Sequence, residues 1–274
     1  MEQLENNARI EPVRLADDSR FEFACLAENA CFTRCCRGLT IVLTPYDILR
    51  LKKRLSLSSE EFLGLYSVPE LLEKTDLPVP VLRMMDDEEK TCPFVREDGC
   101  LVYEDRPAAC RYYPIGHGTL RPKEADATER FYFLVREPHC EGFQREKTWT
   151  VAEWRRDQGV DIYDEMNQGW ADLVVRKRSF PDMIKLTREA KEMFFLGSYN
   201  LDRFRRFVFE SSFLSVYDVD DATVEAIRED ETALMRFGFE WLNGVLFKQG
   251  RIMLNPEKAR ARMVAKDKAP AQPH

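Results

Sequence analysis

Eight cysteines lie between Cys25 and Cys140, and none follows. Thiolates bind zinc and iron, and they also serve as nucleophiles and redox groups. Cys25, Cys31, Cys35 and Cys36 are separated by five, three and zero residues, whereas Cys92, Cys100, Cys110 and Cys140 arrive singly along a second segment. Structural zinc sites pair their cysteines as C-x2-C to C-x4-C. Only Cys31 and Cys35 fit that spacing, and the zinc-ribbon arrangement is absent. In an extended backbone, adjacent Cys35 and Cys36 project to different sides. They can then serve two irons of one cluster, two separate sites, or one ligand and its neighbour. A cluster takes four thiolates as a rule. Eight are enough for two sites, or for one site with additional redox-active thiols. The pattern favours an iron–sulfur centre of the 4Fe–4S type, with zinc as the alternative.

Arg34, Arg37, Arg106 and Arg111 stand beside cysteines. Guanidinium groups there would lower thiol pKa values and stabilise an anionic thiolate centre. Cys92-Pro93 is similar to the ending of a bacterial ferredoxin motif, but the remaining spacing does not match. His117 and His139 are substitute ligands, His139 being favoured by its place next to Cys140. A Cys–His nucleophilic pair is the weaker reading, because nothing singles out one cysteine of the eight.

Of the 274 residues, 44% are hydrophobic and 32% charged. That is the composition of a globular protein able to bury a sizeable core, and two domains are expected. The chain has 41 basic and 48 acidic residues, a formal charge of −7, with the basic ones scattered. The phosphate-neutralising stripe of a nucleic-acid binder is missing, so nucleic acid is not an expected partner. The polar stretch Met1 to Arg20 lacks the apolar core of a signal peptide, and no apolar run of about 18 residues occurs. The expectation is a cytoplasmic protein without a membrane span, its thiols reduced and used as ligands.

The elements around the thiols follow from local signals. Leu39 to Leu43 reads as a short strand. Thr44-Pro45 supplies an N-cap and a first-turn proline for a helix from Pro45 to about Arg54. Ser58-Ser59-Glu60-Glu61 opens a second, short helix. Val79 to Met85 reads as a strand, and Asp86 to Glu89 as the solvated tip of a turn. Cys92 to Val95 and Cys100 to Tyr103 flank an Asp-Gly turn as a hairpin that places both cysteines at strand ends. Pro107 opens a helical turn ahead of Cys110, and Phe131 to Val135 is a strand leading to His139-Cys140. Thr150 to Glu153 is a capping box, and the pattern is helical from there to about residue 247. Its apolar stripes, Leu201, Phe204, Phe207 and Val208, then Leu234, Phe237, Trp241 and Val245, are read as core, with Arg203, Arg205 and Arg206 in solvent.

The run Cys25…Cys31…Cys35-Cys36-Arg37, then Leu43 to Leu51, Cys92-Pro93-Phe94, Gly99 to Pro107 and Cys110-Arg111-Tyr112-Tyr113-Pro114 resembles the YkgJ-type cysteine-cluster family. These are described as zinc- or iron-chelating domains. The resemblance covers roughly residues 20 to 145. Its first cysteine group departs from a strict CxxCxxCC pattern. The family is also similar to flagellin lysine methylases, which are associated with an iron–sulfur centre. This chain, however, shows no glycine-rich strand-to-helix loop of the kind that commonly binds a nucleotide-like cofactor.

The combined expectation is an α+β fold: a cysteine-rich metal-binding domain with short strands and helices, followed by a mainly α-helical region. Its parts are an arm over 1–20, the metal-binding domain over 21–148, a helical region over 149–250 packed on it, and a flexible tail over 251–274. All eight cysteines are candidate ligands. Cys35, Cys36, Cys100 and Cys110 lead, Cys92 and Cys140 follow, and Cys25 and Cys31 come last. Tyr103, Arg106, Arg111 and Tyr113 are expected around the centre, ordering its loops. The function classes are a redox, structural or partner-binding iron–sulfur protein, a zinc-binding structural module, or a metal-dependent protein-modifying enzyme of methyltransferase type. A protein is the one macromolecular partner expected.

Overall fold

A computed structural model describes residues 9–10, 13–120, 129–181 and 183–267. The chain divides into two compact units. One comprises Met1–Ser56, Gly64–Pro69 and Pro80–Glu165; the other comprises Leu57–Leu63, Glu70–Val79 and Met166–His274.

In chain order the elements are β1 (Arg9–Ile10), β2 (Arg20–Glu22), α1 (Pro45–Arg54), α2 (Ser59–Tyr66), β3 (Ser67–Leu72), β4 (Leu77–Leu82), β5 (Val95–Arg96), β6 (Gly99–Cys100), α3 (Ala108–Tyr112), β7 (Ile115–Leu120), β8 (Glu129–Arg136), β9 (Thr148–Thr150), α4 (Val151–Asp157) and α5 (Val160–Arg178). Six helices follow: α6 (Arg188–Tyr199), α7 (Leu201–Glu210), α8 (Phe213–Val216), α9 (Asp221–Glu229), α10 (Glu231–Phe247) and α11 (Pro256–Asp267). This is the expected mixed α+β region followed by a mainly helical one.

In the first unit, β1, β8 and β7 form a three-stranded sheet, while β2–β9 and β5–β6 form two-stranded ones. Phe21, Phe23, Tyr112, Ile115, Tyr132, Leu134, Val151, Trp154 and Val160 pack as its core. Trp154 donates its ring N–H to the Tyr112 carbonyl at 3.1 Å, which satisfies the polar edge of a buried aromatic. Helix α1 starts where expected. Thr44 accepts from the Asp47 amide, and Asp47 accepts in return from the Thr44 amide, which closes a capping box. The strand expected over Leu39 to Leu43 is not a full strand. Leu43 donates to the Pro80 carbonyl and Leu82 to that of Ile41, each at 2.8 Å, so the segment pairs only with the end of β4 through a single Val42–Val81 bridge. The prolines in β4, Pro78 and Pro80, lack the amides that a longer ladder would use.

The second unit is built on the two apolar stripes. Leu201, Phe204 and Val208 of α7 and Leu234, Phe237 and Trp241 of α10 are buried, and Phe204 stacks on Trp241 at 5.3 Å. Each such side chain contributes roughly 1.5–3 kcal/mol through burial. Helices α6 and α10 touch through glycines: a Cβ on Gly238 would stand 2.3 Å from the Gly197 carbonyl oxygen. Of the arginines expected in solvent, Arg203 and Arg206 are exposed, Arg206 in a surface pair with Glu60, while Arg205 donates to the Ile227 carbonyl at 3.1 Å. The tail also departs from expectation. Asn255 accepts from the amides of Glu257 and Lys258 and starts α11, while residues 268–274 lie outside the described ones. Among the described residues no helix is long and apolar enough to cross a membrane.

Candidate metal centre

All eight cysteines are free thiols and all belong to the first unit. Cys35 and Cys36 sit in a tight turn, Arg34–Cys36, entered through Thr33 in the left-handed region at φ 62°. The Cys92 amide donates to the Cys36 carbonyl at 2.8 Å, and the Gly38 amide to that of Lys90 at 3.1 Å, so a short antiparallel contact holds Cys36 beside Cys92. At Cys92 the chain turns, and the amides of Phe94 and Val95 point at its sulfur. The β5–β6 register opposes Val95 to Cys100, whose sulfur accepts from the Val102 amide. Asp47 then fixes Cys110: its carboxylate accepts from the Ala108 amide at 2.8 Å and so holds the start of α3. Cys36 thus senses the charge of Cys92 and Cys110, and Cys110 that of both Cys92 and Cys100, with Cys35 acting on all four.

A second set assembles through other contacts. Ala24 donates to the Gly142 carbonyl at 3.0 Å, and Ala30 to the Glu141 carboxylate at 3.0 Å. The Glu141 amide reaches the Cys31 sulfur at 3.3 Å, and the Gly142 amide points at Cys140. A Cβ on Gly142 would stand 2.4 Å from the Phe23 ring, so only glycine lets these segments approach. Cys25, Cys31 and Cys140 share one field, and Cys35 is within reach of both sets. Tyr113 and Glu137 line the same place. The Glu137 side chain is 9% exposed, and its Oε2 and the Tyr113 hydroxyl are buried without a well-formed hydrogen bond. His139 stands on the outer side, its Nε2 3.3 Å from Glu137 Oε2.

Electrostatics tie the thiols together. Cys36 donates to Cys35, which holds Cys35 below and Cys36 far above the ordinary thiol range. Burial, followed by the neighbouring sulfurs, pushes Cys25 up to about 11 and raises Cys110 further. Burial also raises Cys92, Cys100 and Cys140, and the amides aimed at their sulfurs oppose it. Such thiols resist ionising together unless a cation joins them, and a coordinating thiol is deprotonated outright. The crowding and the amide donors therefore fit a thiolate-bound metal group. Among the described residues, no three His, Cys, Asp or Glu donors are yet gathered closely enough to hold a metal ion.

The expected supporting residues order loops through carbonyls. Arg106 donates to the Tyr103 carbonyl at 2.7 Å and to Gln158 at 2.6 Å, and lies 4.0 Å over the exposed Tyr103 ring. Arg111 donates to the carbonyls of Arg106, Gln158 and Glu104. Arg37 pairs with Glu89 at 2.9 Å, Lys90 with Asp86 at 3.0 Å, and the Thr91 amide donates to Asp87, so the acidic turn is internally compensated. His117 stacks on Tyr112 at 4.4 Å rather than beside a thiol set. Asp47, Glu137 and Gln158 escaped sequence reasoning. Only Asp47 carried a signal, as the third helical residue after Thr44.

A cleft of about 830 Å³ in the second unit is lined by Tyr217, Asp220, Arg236 and Lys258 among others and by none of the thiols. No curated protein and no solved structure matches the chain. Residues 24–141, which contain every cysteine, match the family model CxxCxxCC, described as "Putative zinc- or iron-chelating domain". The resemblance carried by the cysteine motifs thus holds for this segment, which is similar to the zinc- or iron-chelating cysteine-cluster domains that this family model describes.

Proposed function

We propose that Cys36, Cys92, Cys100 and Cys110 bind a 4Fe–4S cluster, and that the protein is a cytoplasmic iron–sulfur protein with a redox or structural role toward a protein partner. The observation that carries this reading is that Cys92, Cys100 and Cys110 lie in one another's field with Cys36 held beside Cys92, on four separately fixed turns, with backbone amides aimed at the sulfurs of Cys92 and Cys100. Four thiolates satisfy a cubane cluster, and amide donors to its sulfurs tune the reduction potential. The cluster would supply one-electron transfer or a rigid crosslink. The chain supplies orientation: the Cys36–Cys92 contact, the β5–β6 register and the Asp47–Ala108 bond set three sides of the site. Eight free thiols also suit a reducing compartment.

The test is the visible absorption of protein purified without oxygen, compared with Cys100→Ser and Cys110→Ser. The expected result is a brown protein whose colour is lost in both variants. Colourless wild-type protein, or variants that keep the full absorption, would overturn the reading.

A further inference from the structure

We infer that the turn joining α5 to α6, with Phe180, Met183 and Ile184 at its surface, is a contact point for an anionic lipid bilayer, to which the protein attaches peripherally. This goes beyond the metal centre and does not depend on it.

The turn belongs to the second unit and is fixed from beneath. Lys177, buried at the end of α5, donates to the Ile184 carbonyl at 2.9 Å. The Ile184 amide donates to the Pro181 carbonyl at 2.9 Å and closes the bend, and the Leu186 amide meets the Asp76 carboxylate at 3.3 Å. That carboxylate also pairs with Lys191 at 2.8 Å, so it ties the turn to α6. The Phe180 ring stacks on Phe247 at 5.7 Å, and Arg176 lies 4.7 Å over the Phe247 ring. A turn held this firmly would be expected to point its apolar side chains inward. Met183 is nevertheless 86% exposed, Ile184 47% and Phe180 37%. A contiguous apolar tip kept in water on an ordered backbone marks a contact surface.

The kind of partner follows from the charges. Between residues 176 and 188 stand five basic residues and one acid, Asp182, in a chain whose formal charge is −7. Arg178, Lys185 and Arg188 are exposed, as is Lys248, which follows Phe247. Glu189 and Glu192 offset them in part, Arg188 pairing with Glu192 at 2.8 Å, but an exposed pair of this kind holds its members weakly. Basic residues around a projecting apolar tip match an anionic bilayer, where attraction to the headgroups adds to burial of the tip at the acyl boundary. Three side chains fall well short of the roughly 800 Å² per partner that a specific protein interface covers. A bilayer sets no such requirement. The attachment is reversible, since one small anchor beside a basic patch binds far more weakly than a spanning helix.

The experiment floats the full-length protein with phosphatidylcholine vesicles and with vesicles in which about a third of the lipid is phosphatidylserine. Wild type is expected on the anionic vesicles alone, and less of it as salt rises. The paired substitution Met183→Ser, Ile184→Ser should weaken that binding about tenfold or more through lost burial. Arg178→Gln and Lys185→Gln should each weaken it about fivefold. All four side chains are exposed, so the thermal transition of these variants should match that of wild type. No flotation of wild type with the anionic vesicles would overturn the inference, as would flotation of the serine pair equal to that of wild type. Binding to polyglutamate as strong as to the vesicles, and unchanged in the serine pair, would assign the basic residues to an acidic protein and overturn the lipid reading.

Discussion

The amide of Cys92 donates to the carbonyl of Cys36 at 2.8 Å, so two thiols distant in sequence are held at neighbouring backbone positions. One consequence is that Cys92 has no second thiol beside it, whereas Cys36 has Cys35 next to it. Cys36→Ser and Cys92→Ser are each expected to strip most of the iron, measured per chain after gel filtration. If Cys36→Ser kept full iron because Cys35 took its place, the assignment of the adjacent pair would be reversed.

Asp47 makes a pH prediction. Burial lifts its carboxyl from 3.8 to about 6, against the pull of the Thr44 and Ala108 amides. Between those values the folded chain holds a proton that the unfolded chain has released. This group's contribution to stability therefore declines as pH rises through the window and is flat above it. Asp47→Asn removes that decline. It also turns an N–H donor toward one of the two amides, at a cost of about 1–3 kcal/mol. Urea unfolding should show a gap between wild type and variant that narrows from the acid end of the window to its upper end. A gap independent of pH would contradict the assignment.

Arg111 is 7% exposed, donates to three carbonyls and lies 4.5 Å over the Tyr163 ring. Lysine cannot reproduce that fork, so Arg111→Lys is expected to cost about 2–3 kcal/mol and to speed iron loss to a chelator. Unchanged thermal stability would show that the carbonyl contacts are dispensable.

Gly142→Ala places a methyl group against Phe23, which is fixed edge-on by Tyr113, Phe143 and Trp154. Overpacking of this kind costs about 1–3 kcal/mol, and here it would part Ala24 from Gly142. Faster alkylation of Cys25 and Cys31 than in wild type is the expected readout. Equal rates would mean that the segments are held by other contacts.

Much of the frame was legible in the sequence, because it is written in local chemistry. Thr44-Pro45 and Thr150 announce their helices through side-chain caps, and the Asp-Gly turn before Cys100 fixes a hairpin, although its strands are shorter than expected. The apolar spacing of α7 and α10 shows their buried faces. The division of the thiols was not legible. It depends on Cys36 meeting Cys92 and on Cys31 meeting Glu141, contacts between distant segments that leave no local pattern. Glu137 gave no signal for the same reason: in sequence it is one acid among many, and only burial beside Cys140 distinguishes it. The helix Pro256–Asp267 was misjudged because its charged composition resembles a tail, while its Asn255 cap and the Lys258–Asp218 pair at 2.5 Å supply local support.

Iron and acid-labile sulfide counted per chain, on protein purified without oxygen, bear most directly on what these four thiols hold. About four iron and four sulfide per chain are expected at the centre of Cys36, Cys92, Cys100 and Cys110. Zinc in place of iron, with no labile sulfide, would contradict it.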